Sequence, residues 1–170
     1  EMSASLVGSE MCIRDRLRDE RLAEHFKDGY LWVFRLSVDD YHRYIYVDNG
    51  RESVRRRIPG VLHTVNPVAN DVCPIYKENT REYSLLKSEH FGTLLMMEVG
   101  ALMVGKIENC PVMSHVRRGQ EKGNFAFGGS TIIYMTQKDK VFPDMDILIN
   151  SADGIETKVQ IGSRIGKGKN

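Results

Sequence analysis

The segment Asn124-Phe125-Ala126-Phe127-Gly128-Gly129-Ser130-Thr131 carries the most distinctive chemistry in the chain. Two glycines ahead of a serine let the backbone take up conformations closed to other residues. Such a backbone can bring the Ser130 hydroxyl against the carbonyl of Gly129. Attack there turns the peptide bond into an ester, and elimination from the ester frees the Gly129 carboxylate and leaves a dehydroalanine. Hydrolysis then releases ammonia and leaves a pyruvoyl group where Ser130 stood. The same residues also make an ordinary tight turn feeding a strand, since Gly-Gly-Ser is common turn chemistry. Taken alone, the tetrapeptide favours the turn.

Five histidines could move protons: His25, His42, His63, His90 and His115. His42 stands in Val38-Asp39-Asp40-Tyr41-His42-Arg43-Tyr44, between two carboxylates and an arginine. A histidine in such company suits proton transfer, although the commoner role is a hydrogen-bonded structural one. His63 alternates with apolar residues and reads as an outward or polar core position of a strand. His25 reads as a helix-surface residue, and His90 and His115 sit among loop residues. No histidine pair has the spacing of a metal-binding helix. Cys12, Cys73 and Cys110 are odd in number and far apart, so neither a zinc site nor a disulfide framework is expected, and a reduced compartment fits best. No metal is expected, and no glycine-rich phosphate loop is present.

The elements that must position these residues are mostly strands. Hydrophobic residues make up 41% and charged residues 28%, as in an ordinary globular domain with a core of its own. A net charge of +1 argues against a nucleic-acid binder. Residues 51–57 hold four arginines and read as a solvated loop that could touch anionic headgroups. No apolar run reaches the ~20 residues of a membrane span. Residues 17–26 read as a short helix, with Leu17, Leu22 and Phe26 on one face and Gly29 ending it. Residues 30–36, 41–47, 61–65, 81–86, 93–99, 102–107, 131–136 and 158–161 read as strands punctuated by glycine and proline. Residues 162–168 read as a turn and a frayed end. The expected fold is mainly β: a single compact β-barrel or sandwich-like domain with a short N-terminal helix. Residues 1–16 are set apart, because Leu6-Val7-Gly8-Ser9-Glu10-Met11-Cys12-Ile13-Arg14-Asp15-Arg16 resembles the translation of a sequencing-library adapter. The domain proper is expected over residues 17–170, with authentic upstream sequence missing.

Several weak signals line up in one order. They are Phe34-Arg35-Leu36 with Asp40-Tyr41-His42-Arg43; Gly60-Val61-Leu62 with Val65-Asn66-Pro67; Val99-Gly100-Ala101 with Val104-Gly105; Arg118-Gly119-Gln120-Glu121-Lys122-Gly123 with Phe125; Gly128-Gly129-Ser130-Thr131; and Glu156-Thr157 with Gly162. In this arrangement the chain resembles the phosphatidylserine decarboxylase proenzymes over nearly all of residues 17–167.

The resemblance implies self-cleavage between Gly129 and Ser130. Residues up to Gly129 become the β chain, and residues from Ser130 become the α chain, with a self-generated pyruvoyl cofactor at its start. That group engages the substrate amine and takes up the electrons released as carbon dioxide leaves. Phosphatidylserine at a membrane surface becomes phosphatidylethanolamine, and His42 handles the proton. The partners implied are the lipid and the two chains of the proenzyme, with no nucleic acid; homo-oligomerisation stays open. The location implied is peripheral, on the cytoplasmic face of a membrane. Two departures stand out. Many relatives carry a second histidine where this chain has Ile45, so His42 serves both steps or another residue such as His63 takes over. The upstream Pro-x-Asp-Gly segment that supplies the family's third triad member has no counterpart in these residues. Two alternatives follow: a pyruvoyl-dependent decarboxylase of another amine or amino acid, or an uncleaved, non-catalytic β domain.

Overall fold

A computed structural model describes residues 2–7, 17, 19–37, 39–60, 79–100, 106–126 and 130–169. Helix α1 (Glu20–His25) begins where the extended Asp19 accepts the Leu22 amide on its carboxylate at 3.1 Å. This satisfies one of the free donors of the first turn. Leu17, Ala23 and Phe26 are buried in one cluster with Leu22 packed against it, so the expected apolar face is present. The chain leaves the helix through Asp28, at φ 58°, while the Gly29 amide donates to Phe26 at 3.1 Å. Gly29 is required by a close approach: a Cβ there would lie 1.8 Å from the Thr136 carbonyl oxygen.

The main sheet contains β1 (Met2–Val7), β2 (Leu31–Leu36), β4 (Gly50–Glu52), β5 (Arg56–Ile58), β6 (Arg81–Ser88), β7 (Thr93–Val99), β10 (Ser130–Thr136) and β12 (Thr157–Val159). Its eight strands run in the order β12-β1-β2-β10-β7-β6-β4, with β5 also pairing β6. A second sheet of three strands joins β3 (Arg43–Ile45), β9 (Glu121–Ala126) and β8 (Lys106–Asn109) in the order β3-β9-β8. β11 (Val141–Pro143) pairs with β13 (Gly166–Gly168), and α2 (Met145–Ala152) lies between β11 and β12 in sequence.

The three central strands are apolar on both faces, which gives the near-continuous runs seen in the sequence. On one face Leu31, Leu95, Met97, Val99, Ile133 and Met135 pack beneath α1. On the other, Trp32, Phe34, Leu36 and Ile132 pack with Tyr44, Phe125 and Ile147. The smaller sheet thus lies over one face of the larger one. The arrangement is sandwich-like and mainly β, as expected; the large sheet ends at β12 and β4, so no barrel closes among the described residues.

Several expectations need adjustment. The predicted strand 61–65 lies outside the described residues. Residues 162–168 are not all a frayed end: Gly162 is in a turn at φ 84°, but Gly166–Gly168 forms a strand against β11. The basic run is not simply solvated, because Arg55 donates to Glu52 and Tyr46 and to the Cys110 carbonyl. Within residues 1–16, Met2–Val7 takes a place in the large sheet between β2 and β12, with Ala4 buried.

Candidate active site

Ser130 is the first residue of β10 and pairs with Leu36 of β2. It is fully buried, and its hydroxyl has no hydrogen-bond partner among the described residues. A buried hydroxyl left unbonded costs about 1–3 kcal/mol, so its exemption from the sheet's bonding is a feature with a cost. Gly128 and Gly129 lie outside the described residues.

His42 reaches the same corner from the other side. Past Leu36 the chain turns, held by the Asp40 amide on the Ser37 carbonyl at 3.1 Å and the Ser37 amide on the Asp40 carboxylate at 2.6 Å. His42 follows, and its carbonyl accepts the Phe125 amide at 3.0 Å. The loop bearing His42 is therefore tied to β9, the strand that leads through residues 127–129 into Ser130. The His42 Nδ1 lies 2.6 Å from the Asp40 carbonyl oxygen. A carbonyl can only accept, so Nδ1 carries a proton, and in the neutral ring the lone pair then lies on Nε2. That Nε2 is also buried and unpartnered among the described residues. One corner thus holds a hydroxyl with nothing to bond and an imidazole in its basic tautomer. The pair of aspartates beside His42 acts differently from the sequence reading: Asp40 orients the ring through its backbone, and Arg43 turns away to Glu121 at 2.5 Å.

A buried ionic network adjoins the corner, and the sequence reading did not find it. Glu98 on β7 pairs with Ile132 of β10, two residues from Ser130 and on the same side of the strand. Its carboxylate accepts from Lys122 Nζ at 2.7 Å, and both side chains are 0% exposed. Asn109 donates to Glu98 at 3.3 Å and to Glu82 at 2.6 Å. Lys122 also lies 3.9 Å from Glu52, which accepts from Tyr46 and Ser84, each at 2.8 Å. Burial pushes the Glu98 carboxyl above its ordinary value, with Lys122 pulling the other way. Burial would also raise Glu52, but hydrogen bonds from Arg55, Tyr46 and Ser84 and the charge of Lys122 hold it below. The available signal was Glu98 itself, a charge inside an otherwise apolar strand.

The other candidates are dispersed. His63 lies outside the described residues. His25 is exposed on α1, His90 pairs with the buried Asp48 at 2.9 Å, and His115 accepts from Arg51 at 3.1 Å. Ile45, in the place of a second histidine, is half-buried on β3. Among the described residues no group of three or more potential ligands could hold a metal, and no helix is long and apolar enough to cross a membrane.

Comparison with known proteins agrees with the order of these segments. A family model described as phosphatidylserine decarboxylase matches residues 3–167. The phosphatidylserine decarboxylase proenzyme 2 of Clostridium acetobutylicum is 43% identical over 167 residues, covering 98% of this chain and 57% of that relative. The phosphatidylserine decarboxylase proenzyme of Clostridium tetani is 44% identical over 94% of this chain and 54% of its own length. That of Ruminiclostridium cellulolyticum is 39% identical over 98% and 56%. The chain therefore spans about half the length of the curated relatives it matches. No solved structure matches it. With the match running through the segments that carry Ser130 and His42 alike, the chain belongs to the phosphatidylserine decarboxylase family.

Proposed function

We propose that the protein is a self-cleaving proenzyme that cuts between Gly129 and Ser130 and then decarboxylates phosphatidylserine to phosphatidylethanolamine. The observation that supports the reading is a buried Ser130 hydroxyl and a buried His42 Nε2, each without a hydrogen-bond partner among the described residues. Family membership supports the substrate.

His42 Nε2 takes the hydroxyl proton as Ser130 Oγ attacks the Gly129 carbonyl. The proton passes to the departing nitrogen of Ser130, leaving an ester and restoring Nε2. Loss of the Ser130 α-proton expels the Gly129 carboxylate, and water replaces the nitrogen as ammonia. The β chain then ends at Gly129 and the α chain begins with the pyruvoyl group. Ser130 fits this role because its hydroxyl is not committed to a bond elsewhere among the described residues. Once formed, the group supplies a keto carbonyl that engages the substrate amine and accepts the electron pair left as carbon dioxide departs. His42 Nε2 takes a proton from the substrate ammonium as the amine engages that group, and gives it to the substrate carbon that lost carbon dioxide. The same reading places the protein peripherally on the cytoplasmic face of a membrane, where its lipid substrate lies.

The test is phosphatidylethanolamine formation from phosphatidylserine vesicles, measured with the protein brought to the length of its relatives. Product from the wild type and none from Ser130→Ala is expected. Turnover of free serine without turnover of the lipid would contradict the substrate assignment.

A further inference from the structure

The arginines of residues 51–57 are tied to a second basic segment. Gly50 exchanges backbone hydrogen bonds with Val116, at 3.1 and 2.9 Å. The Arg118 amide donates to the Asn49 side chain at 2.9 Å, and Arg51 Nε donates to His115 Nε2 at 3.1 Å. The Arg55 guanidinium donates to the Cys110 carbonyl. These bonds stitch residues 110–118 along β4, the end strand of the large sheet. Residues 50–57 and 110–118 therefore make one surface.

That surface is basic and apolar at once. It carries Arg51, Arg55, Arg56, Arg57, Arg117 and Arg118, and its one acidic residue, Glu52, is buried against Arg55. The whole chain has a net charge of only +1, so positive charge is concentrated here. Arg56 shares its charge with Asp19 at 3.6 Å. Arg57, Arg117 and Arg118 are exposed and enter no ion pair among the described residues. Apolar side chains stand exposed among them: Val54 is 82% exposed, Val112 50% and Met113 52%. Exposed apolar residues scattered singly are ordinary, but three on one small basic surface mark a site of interaction. A duplex nucleic acid would engage the arginines and leave the valines and the methionine in water. An anionic bilayer engages both. Its phosphates meet the guanidinium groups, and the apolar tips enter the boundary between headgroups and acyl chains.

We infer that residues 50–57 and 110–118 form a docking surface for a bilayer that bears anionic headgroups. What it recognises is the charge of the membrane surface, not the substrate molecule, so phosphatidylglycerol serves as well as phosphatidylserine. Where decarboxylation runs as proposed, each turnover replaces an anionic headgroup with a zwitterionic one and weakens the attraction that holds the protein in place. A second anionic lipid, which is not consumed, then sustains turnover.

Sedimentation with phosphatidylcholine vesicles, with and without phosphatidylglycerol, tests the surface. Binding should require phosphatidylglycerol and should weaken as salt rises, because added ions screen the charges. Arg57→Gln/Arg117→Gln removes one exposed arginine from each segment and should weaken binding by about tenfold or more. Val54→Ser/Met113→Ser should weaken it by about fivefold, through lost apolar contact. All four side chains are exposed, so the fold should be unaffected. Equal sedimentation with and without phosphatidylglycerol, unchanged binding by either double variant, or equal affinity for duplex DNA would overturn the assignment. In vesicles poor in phosphatidylserine, added phosphatidylglycerol should raise phosphatidylethanolamine formation by the wild type but not by the arginine variant. Ser130→Ala should sediment like the wild type, because Ser130 is buried away from this surface. A protein that decarboxylates dispersed short-chain phosphatidylserine but ignores phosphatidylglycerol vesicles would remove the docking surface and leave the decarboxylase reading in place. A protein that sediments as described but never forms phosphatidylethanolamine would do the reverse.

Discussion

His42 acquires its basic tautomer from a main-chain carbonyl two residues away, not from a carboxylate. That makes the tautomer a property of the turn at residues 37–42 and explains why flanking aspartates in the sequence were a misleading guide to the ring's partner. His42→Asn keeps a donor near the Asp40 carbonyl but removes the base, so appearance of the two fragments on denaturing gels should slow by about 10²-fold or more. Glu52 gives a second prediction at this scale. Its folded value lies below that of an unfolded glutamate, about 4.3. It therefore contributes stability above that pH, and the contribution is lost as pH falls through the lower folded value. Thermal midpoints followed from about pH 5 down to pH 3 should fall more steeply for the wild type than for Glu52→Gln. Parallel curves would show that Glu52 is not held as described.

Among the elements, β7 and β9 are joined by the Lys122–Glu98 pair, 0% exposed at both ends. Removing one partner strands the other charge in the core, whereas an apolar pair of similar volume fits such a site. Lys122→Met should cost about 3–5 kcal/mol in urea unfolding, and adding Glu98→Leu should recover most of that loss. A double variant no better than the single one would show that the cost does not come from stranding Glu98. The same strands mark what was legible beforehand. β7 and β10 were read nearly to the residue because both faces are buried and the apolar run is unbroken. The three-residue strands β4, β5 and β11 were not, because their pairing is decided by neighbours remote in sequence. β13 was missed for a related reason: Gly166 is there to clear Phe142 and Trp32, a demand invisible in a glycine-rich tail. Glu98 was not singled out, since its partner lies 24 positions away. α2 follows Pro143-Asp144, a plausible start in hindsight, but its single buried residue, Ile147, leaves little periodicity to read.

For the molecule as a whole, two stacked sheets place the end of β9, the turn after β2 and the start of β10 at one corner. Cutting the chain just before β10 would leave Ser130 at a new terminus that remains hydrogen-bonded into the middle of the sheet between β2 and β7. Both fragments would then stay joined through β10's two ladders, so the fold can survive its own cleavage. The central claim is the cut itself, and mass spectrometry of the purified protein, expressed at the length of its relatives, tests it most directly. The account predicts two fragments divided between Gly129 and Ser130, the C-terminal one lighter by one ammonia than a fragment starting with serine. A single intact chain under those conditions would contradict it.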